Sequence, residues 1–358
     1  MENTLPAHLT VYLSGSCNLA CRYCYARGAG EGAPAEKKLL RGLDYFLERA
    51  PEGARVTFLG GEPLLQGRLL KLAILRVRRA GPAMPVRVFT NGTLLDRDWL
   101  SFFARYGVRL LLSLDGGKKE NDANRRFRSG GGSVFSAVLE RLPPASRAGV
   151  TANLVVTPGT AGRLRAALRR LRLLGFESIA WAPDLIAVWR KRDAAELARS
   201  ARQAGLDYFR LLAKGRPPYE IANIYEALAE AAGEPAAWAC GSLALGPDGM
   251  FYPCDKLVGA PPAVSGLYAS APRGKMPDLS GRRRFFREAA RAGARPSPYC
   301  CGVGSWAVSG LRGGKGRSGG AGYEAGQAAL RALVSGWLAS MARRGLKSPA
   351  FRRLHGAG

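Results

Sequence analysis

Three thiols stand within eight residues, in Cys17-Asn18-Leu19-Ala20-Cys21-Arg22-Tyr23-Cys24. An alternating apolar run, His8-Leu9-Thr10-Val11-Tyr12-Leu13, precedes them and stops at Ser14-Gly15-Ser16. That pattern predicts a first strand with the thiols on the loop at its C-terminal end. A loop backbone is not committed to a ladder and can wrap a metal. Thiolates are the usual ligands of iron–sulfur clusters, and a complete protein shell takes four. Three leave one iron without a protein ligand, open to a substrate or cofactor. Three other readings exist. An uneven trio in a chain with no expected export signal argues against a disulfide. Zinc would want a fourth ligand nearby, and His8 is poorly placed to be one. The third is chance clustering.

A second group of thiols lies far downstream, at Cys240, Cys254, Cys300 and Cys301. Pro247-Asp248-Gly249 is a hairpin turn signal flanked by short β-like runs, and a hairpin would bring Cys240 and Cys254 together. Four thiolates close a cluster, leaving it structural or electron-relaying, and they also suit zinc. Asp255 follows Cys254 directly. It is either a proton acceptor beside the metal or a turn carboxylate paired with Lys256.

The elements that must position these groups alternate. Helical stretches are expected at 36–50, 64–80, 95–106, 133–148 and 161–174, the fourth with Ser133 as N-cap. Strands are expected at 55–59, 86–89, 109–116, 150–156 and 176–181. Six βα repeats with short right-handed crossovers would wind into an open, partial (β/α)6 barrel of the TIM type. The strand ends would then share one rim. That rim carries the cysteine loop, Gly60-Gly61-Glu62-Pro63, Thr90-Asn91-Gly92 and Ser113-Leu114-Asp115-Gly116. Further helices are expected at 193–215, 221–232 and 327–344, with a Gly/Lys/Arg-rich stretch at 311–319. The expected organisation is a barrel over 1–215, a small cysteine-bearing domain over 216–310, and a basic linker with a final helix over 311–358.

Charge is the unusual feature of the composition. Among 358 residues there are 54 Lys and Arg against 27 Asp and Glu, a net charge of +27. Such a balance points to an anionic partner, such as nucleic acid, an acidic peptide or anionic lipid, or to a solvated basic surface. No run of apolar residues is long enough for a membrane span, and no signal peptide is expected, so a cytoplasmic chain is expected.

The C-x3-C-x-aromatic-C spacing, with Tyr23 in the aromatic place, resembles the radical S-adenosylmethionine (radical SAM) superfamily. The resemblance implies a [4Fe–4S] cluster on Cys17, Cys21 and Cys24 whose open iron chelates SAM. Reductive cleavage would give a deoxyadenosyl radical that abstracts hydrogen, the cofactor carrying the difficult chemistry. Gly60, Gly61, Glu62 and Pro63 resemble the family element that hydrogen-bonds the SAM amino group. Asn91, Ser113, Asp115 and Asn153 are expected near SAM. Arg125, in Asn121-Asp122-Ala123-Asn124-Arg125, resembles an arginine that pairs with the SAM carboxylate, a task suited to a bidentate guanidinium. A surface charge is its alternative reading, with Arg126 and Arg128 as neighbours able to substitute. The segment around Cys254 resembles the SPASM/twitch extensions, whose motif is C-x9–15-G-x4-C. Here eight residues separate Cys240 from Gly249, one short of the range. One auxiliary [4Fe–4S] cluster on Cys240, Cys254, Cys300 and Cys301 is implied. Neighbouring side chains usually diverge, so Cys300 and Cys301 need not both bind iron. Asp255 resembles the general base of sulfatase maturases. By that likeness the substrate is a peptide or protein, and the electron donor is external, such as a flavodoxin or ferredoxin. The competing readings are an RNA or small-molecule modifier and a non-catalytic metal scaffold binding nucleic acid.

Overall fold

The computed structural model describes residues 5–26, 32–184, 187–216, 219–222, 242–259 and 321–355. Cys240, Cys300, Cys301 and the 311–319 stretch lie outside them, as does most of the helix expected over 221–232.

A nine-stranded sheet organises the chain. Its strands are β1 (His8–Tyr12), β2 (Arg55–Leu59), β3 (Val86–Thr90), β4 (Val108–Ser113), β5 (Val150–Val156), β6 (Ser178–Pro183), β7 (Glu220–Ile221), β8 (Ser242–Leu245) and β9 (Phe251–Tyr252). They lie in the order β7-β6-β5-β4-β3-β2-β1-β8-β9. Every neighbouring pair from β7 to β8 is parallel, and only β9 is antiparallel. Each of β2 to β6 is laid beside its predecessor after a helical crossover, the simplest right-handed winding. All six expected strands form, with ends within three residues of expectation.

The helices are α1 (Glu36–Leu47), α2 (Gly67–Ala80), α3 (Arg97–Arg105), α4 (Lys118–Asn124), α5 (Val134–Arg141), α6 (Leu164–Leu173), α7 (Lys191–Ala213), α8 (Ala321–Gly345) and α9 (Pro349–His355). Leu39, Leu43 and Phe46 of α1 recur at helical spacing and are fully buried, giving the helix its sheet-facing stripe. Four ends differ from expectation for local reasons. Prolines divert the chain into 3-10 turns at Pro63–Gln66 and Pro158–Arg163 before α2 and α6 begin. Pro143 and Pro144 stop α5 well short of residue 148. Asp96 caps α3 by accepting from the Trp99 amide at 2.8 Å, so α3 starts later than residue 95. Helix α4 was not expected, and it carries the segment ending at Arg125.

Most of the domain expected over 216–310 lies outside the described residues. Strand β7 and the β8–β9 hairpin extend the same sheet at its two ends. Strand β8 pairs with β1 from His8↔Ser242 to Val11↔Leu245, and the Thr10 and Ser242 hydroxyls hydrogen-bond at 3.0 Å. The physical reason is that β1 would otherwise present a bare edge of N–H and C=O groups. The expected turn at Pro247-Asp248-Gly249 is present, with Gly246 N–H donating to the Met250 carbonyl at 2.8 Å.

The final helices dock on α7. Trp337 donates to the Ala201 carbonyl at 2.8 Å and meets the edge of Trp181 at 5.3 Å between centroids. His355 hydrogen-bonds the buried Tyr208 hydroxyl at 2.9 Å. Trp337→Ala is expected to destabilise the protein by about 3–5 kcal/mol, the usual loss for a buried tryptophan. Denaturant unfolding of the two proteins checks this. No helix among the described residues is long and apolar enough to cross a membrane.

Candidate active site

The cysteine loop leaves β1 and is pinned from both sides. On the β2 side, Gly61 N–H donates to the Ser14 carbonyl at 2.7 Å and Glu62 N–H to the Ser16 carbonyl at 2.9 Å. This approach needs two glycines. Gly60 has φ +144°, and a Cβ on Gly61 would stand 2.1 Å from the Ser16 carbonyl oxygen. On the other side, the strand-like segment after α4 runs antiparallel to the loop. Ala20 N–H donates to the Arg126 carbonyl at 2.8 Å, Arg22 N–H to Asn124 at 2.9 Å, and Arg128 N–H to Asn18 at 2.9 Å, with a bridge between Leu19 and Phe127. Nothing in the spacing of residues 124–128 signalled that strap.

The three thiols are half-buried and unlinked. Two N–H donors face Cys17 Sγ, the Leu19 amide at 3.4 Å and the Asn91 side chain at 3.9 Å. Burial is the main force raising the Cys17 thiol to about 11, against the Leu19 amide that lowers it. Burial also raises Cys21, opposed first by the Arg125 charge. Thiols held neutral in this way release protons when they ligate a metal.

Several residues expected to hold SAM are engaged elsewhere. Glu62 is turned inward and 2 % exposed. Its carboxylate accepts from Leu64 N–H at 3.0 Å, Thr90 Oγ1 at 2.8 Å and Asn91 N–H at 2.7 Å, tying the end of β2 to that of β3. Burial raises it to about 7 against those donors. Pro63 is buried at the start of the 3-10 turn. The Asn91 amide donates to Asn18 Oδ1 at 2.9 Å, and Asn18 in turn donates to Thr93 Oγ1 at 2.8 Å. Arg125 is buried against Asp115, with two bonds of 3.0 and 3.1 Å. The Tyr23 hydroxyl donates to the same carboxylate. Arg125, Asp115 and Tyr23 thus hold one another beside the cysteine loop. Asn18, Thr93 and Asn121 complete these networks and were missed, because small polar residues in loops carry no periodic signal. Ser113 and Asn153 do stand side by side on β4 and β5, half-buried at the rim.

Cys254 and Asp255 follow β9, and Asp255 meets the cysteine segment at Tyr25. Cys254 is buried and its thiol lies 3.4 Å from Asp255 Oδ1. Asp255 also accepts from the Tyr25 hydroxyl at 3.0 Å and faces Lys256 at 3.7 Å. Burial alone would raise its pKa, but Lys256, Tyr25 and Cys254 together hold it below the usual carboxylate range. Tyr25, next to Cys24, thus joins the two cysteine segments. The Tyr12 hydroxyl is buried nearby with no hydrogen-bond partner among the described residues.

Residues 11–171 match the family model described as the radical SAM superfamily. The chain is 31 % identical over 289 residues to the serine-type anaerobic sulfatase-maturating enzyme of Klebsiella aerogenes, covering 72 % of this chain and 69 % of that one. The chain belongs to the radical SAM superfamily. The cysteine-type anaerobic sulfatase-maturating enzyme of Clostridium perfringens is 27 % identical over 124 residues, 32 % of this chain and 34 % of that one. Among solved structures, anSMEcpe with bound AdoMet and Cp18Cys peptide aligns with TM-score 0.60 at 22 % identity over 70 % of this chain and 74 % of that one. Streptococcus suis SuiB bound to precursor peptide SuiA aligns with TM-score 0.53 at 16 % identity over 72 % and 61 %. These two share the fold.

Membership in the radical SAM superfamily makes the chain an enzyme and implies a [4Fe–4S] cluster and SAM. The residues present fit a cluster. Its three thiols lie on one pinned loop, N–H donors face Cys17 Sγ, and paired glycines let a second strand end close against the loop. Among the described residues no three His, Cys, Asp or Glu side chains converge as ligands of a single ion. A cubane instead takes each thiolate on a different iron.

Proposed function

We propose that this radical SAM enzyme abstracts hydrogen from a side chain of a peptide or protein, oxidising it or forming a crosslink. In this reading Cys17, Cys21 and Cys24 hold the cluster, and SAM lies along the rim formed by Gly60, Gly61, Ser113 and Asn153. When bound, the pair supplies a hydrogen-abstracting radical. Asp255 accepts the proton released as the substrate side chain is oxidised, and Lys256 and Tyr25 keep it ionised for that task. The observation that carries the reading is the hydrogen bond from Tyr25, beside Cys24, to Asp255, beside Cys254. A carboxylate held ionised beside the cysteine loop supports that role. A peptide substrate is further supported by the sulfatase-maturating relatives, and the net positive charge favours an acidic one.

Cys254, with Cys240, Cys300 and Cys301, is proposed to hold an auxiliary cluster that takes up the second electron. An external flavodoxin or ferredoxin would supply the first. The test is anaerobic incubation of the reconstituted enzyme with SAM, a reductant and serine- or cysteine-containing peptides, read by mass spectrometry. Loss of two hydrogens supports the reading. Modification of RNA with none of peptide would overturn it. Asp255→Asn is expected to leave SAM cleavage intact while peptide oxidation falls by about 10²–10⁴, the usual worth of a general base. Parallel assays of deoxyadenosine and oxidised peptide check that split.

A further inference from the structure

The strap across the cysteine loop has two unlike faces. Its hydrogen bonds join Ala20 to Arg126, Arg22 to Asn124 and Arg128 to Asn18. In such an antiparallel pair successive side chains point to opposite sides. Leu19 lies in the core, and Cys21 and Phe127 pack against it. Arg125 turns inward as well, to Asp115. Arg22, Arg126 and Arg128 are exposed on the other side. None of these three side chains makes an ion pair or a hydrogen bond among the described residues. The acidic side chains of α4 do not offset them. Asp122 accepts from Ser133 Oγ and Phe135 N–H, and Glu120 accepts from Arg163 at 2.8 Å. Like charges gathered on one face of a strand pair repel one another, so stability does not explain the cluster.

We propose that Arg22, Arg126 and Arg128 form the docking surface for a small acidic one-electron carrier of the flavodoxin kind. The inference rests on the reading that Cys17, Cys21 and Cys24 hold a cluster fed by an external donor, and it is independent of the substrate. Two observations select this partner. Electron transfer weakens steeply with distance, so the carrier must touch a surface lying directly over the cysteine loop, and Arg22 is next in the chain to Cys21. Three uncompensated guanidinium groups are complementary to a carboxylate-rich face. Such complementarity speeds encounter more than it tightens binding. A carrier that must leave after each delivery needs that kinetics, and redox partners meet through small, weak interfaces. On contact one electron leaves the reduced carrier, which is oxidised by one electron, and enters the cluster. No bond is made or broken and no proton moves. An acidic peptide substrate is the competing occupant. It must reach Asp255, which meets the cysteine segment at Tyr25, beyond the part of the loop that the strap crosses.

The experiment uses the full-length protein reconstituted anaerobically with iron and sulfide and given SAM. Deoxyadenosine formation is driven either by dithionite or by reduced flavodoxin. The parent is compared with Arg22→Gln/Arg126→Gln/Arg128→Gln and with the same three positions changed to Glu. Arg169→Gln/Arg170→Gln/Arg199→Gln removes equal charge from exposed positions of α6 and α7 and serves as the control. With dithionite all four proteins are expected to match in iron content and rate. With flavodoxin at low salt the strap variants are expected to fall by about tenfold or more, the Glu variant furthest, while the control stays near the parent. Added salt should slow the parent's flavodoxin rate and narrow the gap. Equal flavodoxin rates in parent and strap variants would overturn the inference, as would an equal fall in the control. Lost iron and lost dithionite activity in both strap variants would make the role structural and overturn it. A raised KM for peptide with an unchanged flavodoxin rate would give the face to the substrate instead. A parent driven by dithionite and never by flavodoxin would overturn the external-donor reading itself, a failure visible before any variant is made.

Discussion

Cys21→Ala is expected to abolish SAM cleavage. The loop offers three thiolates, and its backbone is held by β2 on one side and the 124–128 strap on the other. Neither neighbour can bring up a replacement sulfur. With two ligands left, the cluster should not survive purification, and deoxyadenosine should fall to the level of a protein-free control. Cys17→Ala and Cys24→Ala should behave alike. Cys254→Ala should differ, because its thiol belongs to the β9 turn beside Asp255. It is expected to keep SAM cleavage while losing product. Iron content, visible absorbance and chromatographed deoxyadenosine measure all four proteins. Substantial cleavage by Cys21→Ala would remove the N-terminal trio from the chemistry altogether.

Gly61→Ala is expected to be nearly as damaging through packing alone. The added carbon would meet Ser16 O at 2.1 Å and Gly15 O at 2.6 Å, both backbone atoms that no rotamer change can move. Relief requires the cysteine loop to lift from the end of β2. That would sacrifice the bonds from Gly61 N–H to Ser14 and from Glu62 N–H to Ser16. Two hydrogen bonds and the strain together cost about 2–5 kcal/mol. Denaturant unfolding should show the loss, and iron uptake should fall with it. Gly149 is the control, since nothing lies within 4 Å of a Cβ placed there. Equal stability of Gly61→Ala and Gly149→Ala would contradict the close approach.

The parallel sheet and the cysteine loop were legible because their signals are local. Alternating apolar residues, turn residues and thiol spacing are each decided within a dozen positions. The contacts behind the cysteine loop were not legible. Motif position points Asp115 and Arg125 toward SAM, while the contacts of Asp115, Arg125 and Tyr23 with one another leave no mark in it. Their partnership depends on how far the 124–128 strap folds back, a distance set by α4 that short polar helices signal weakly. Glu62 illustrates the same limit. Its neighbours in sequence suggest an outward carboxylate, whereas Thr90 and Asn91, nearly thirty residues away, draw it inward. The place of β8 in the sheet was not legible for a related reason. A four-residue strand such as Ser242–Leu245 shows its apolar character but not its partner, and its partner is β1.

That pairing has a consequence for how the protein is made. The Thr10 and Ser242 hydroxyls that meet across it are 232 residues apart. As the ribosome releases the chain, β1 can be flanked by β2 well before β8 exists, and its other edge waits for those 232 residues to be made. Closing so distant a contact is slow, and an open edge invites association with other nascent copies. Truncation before Leu245 should therefore lower yield by aggregation even though the whole cysteine loop is retained.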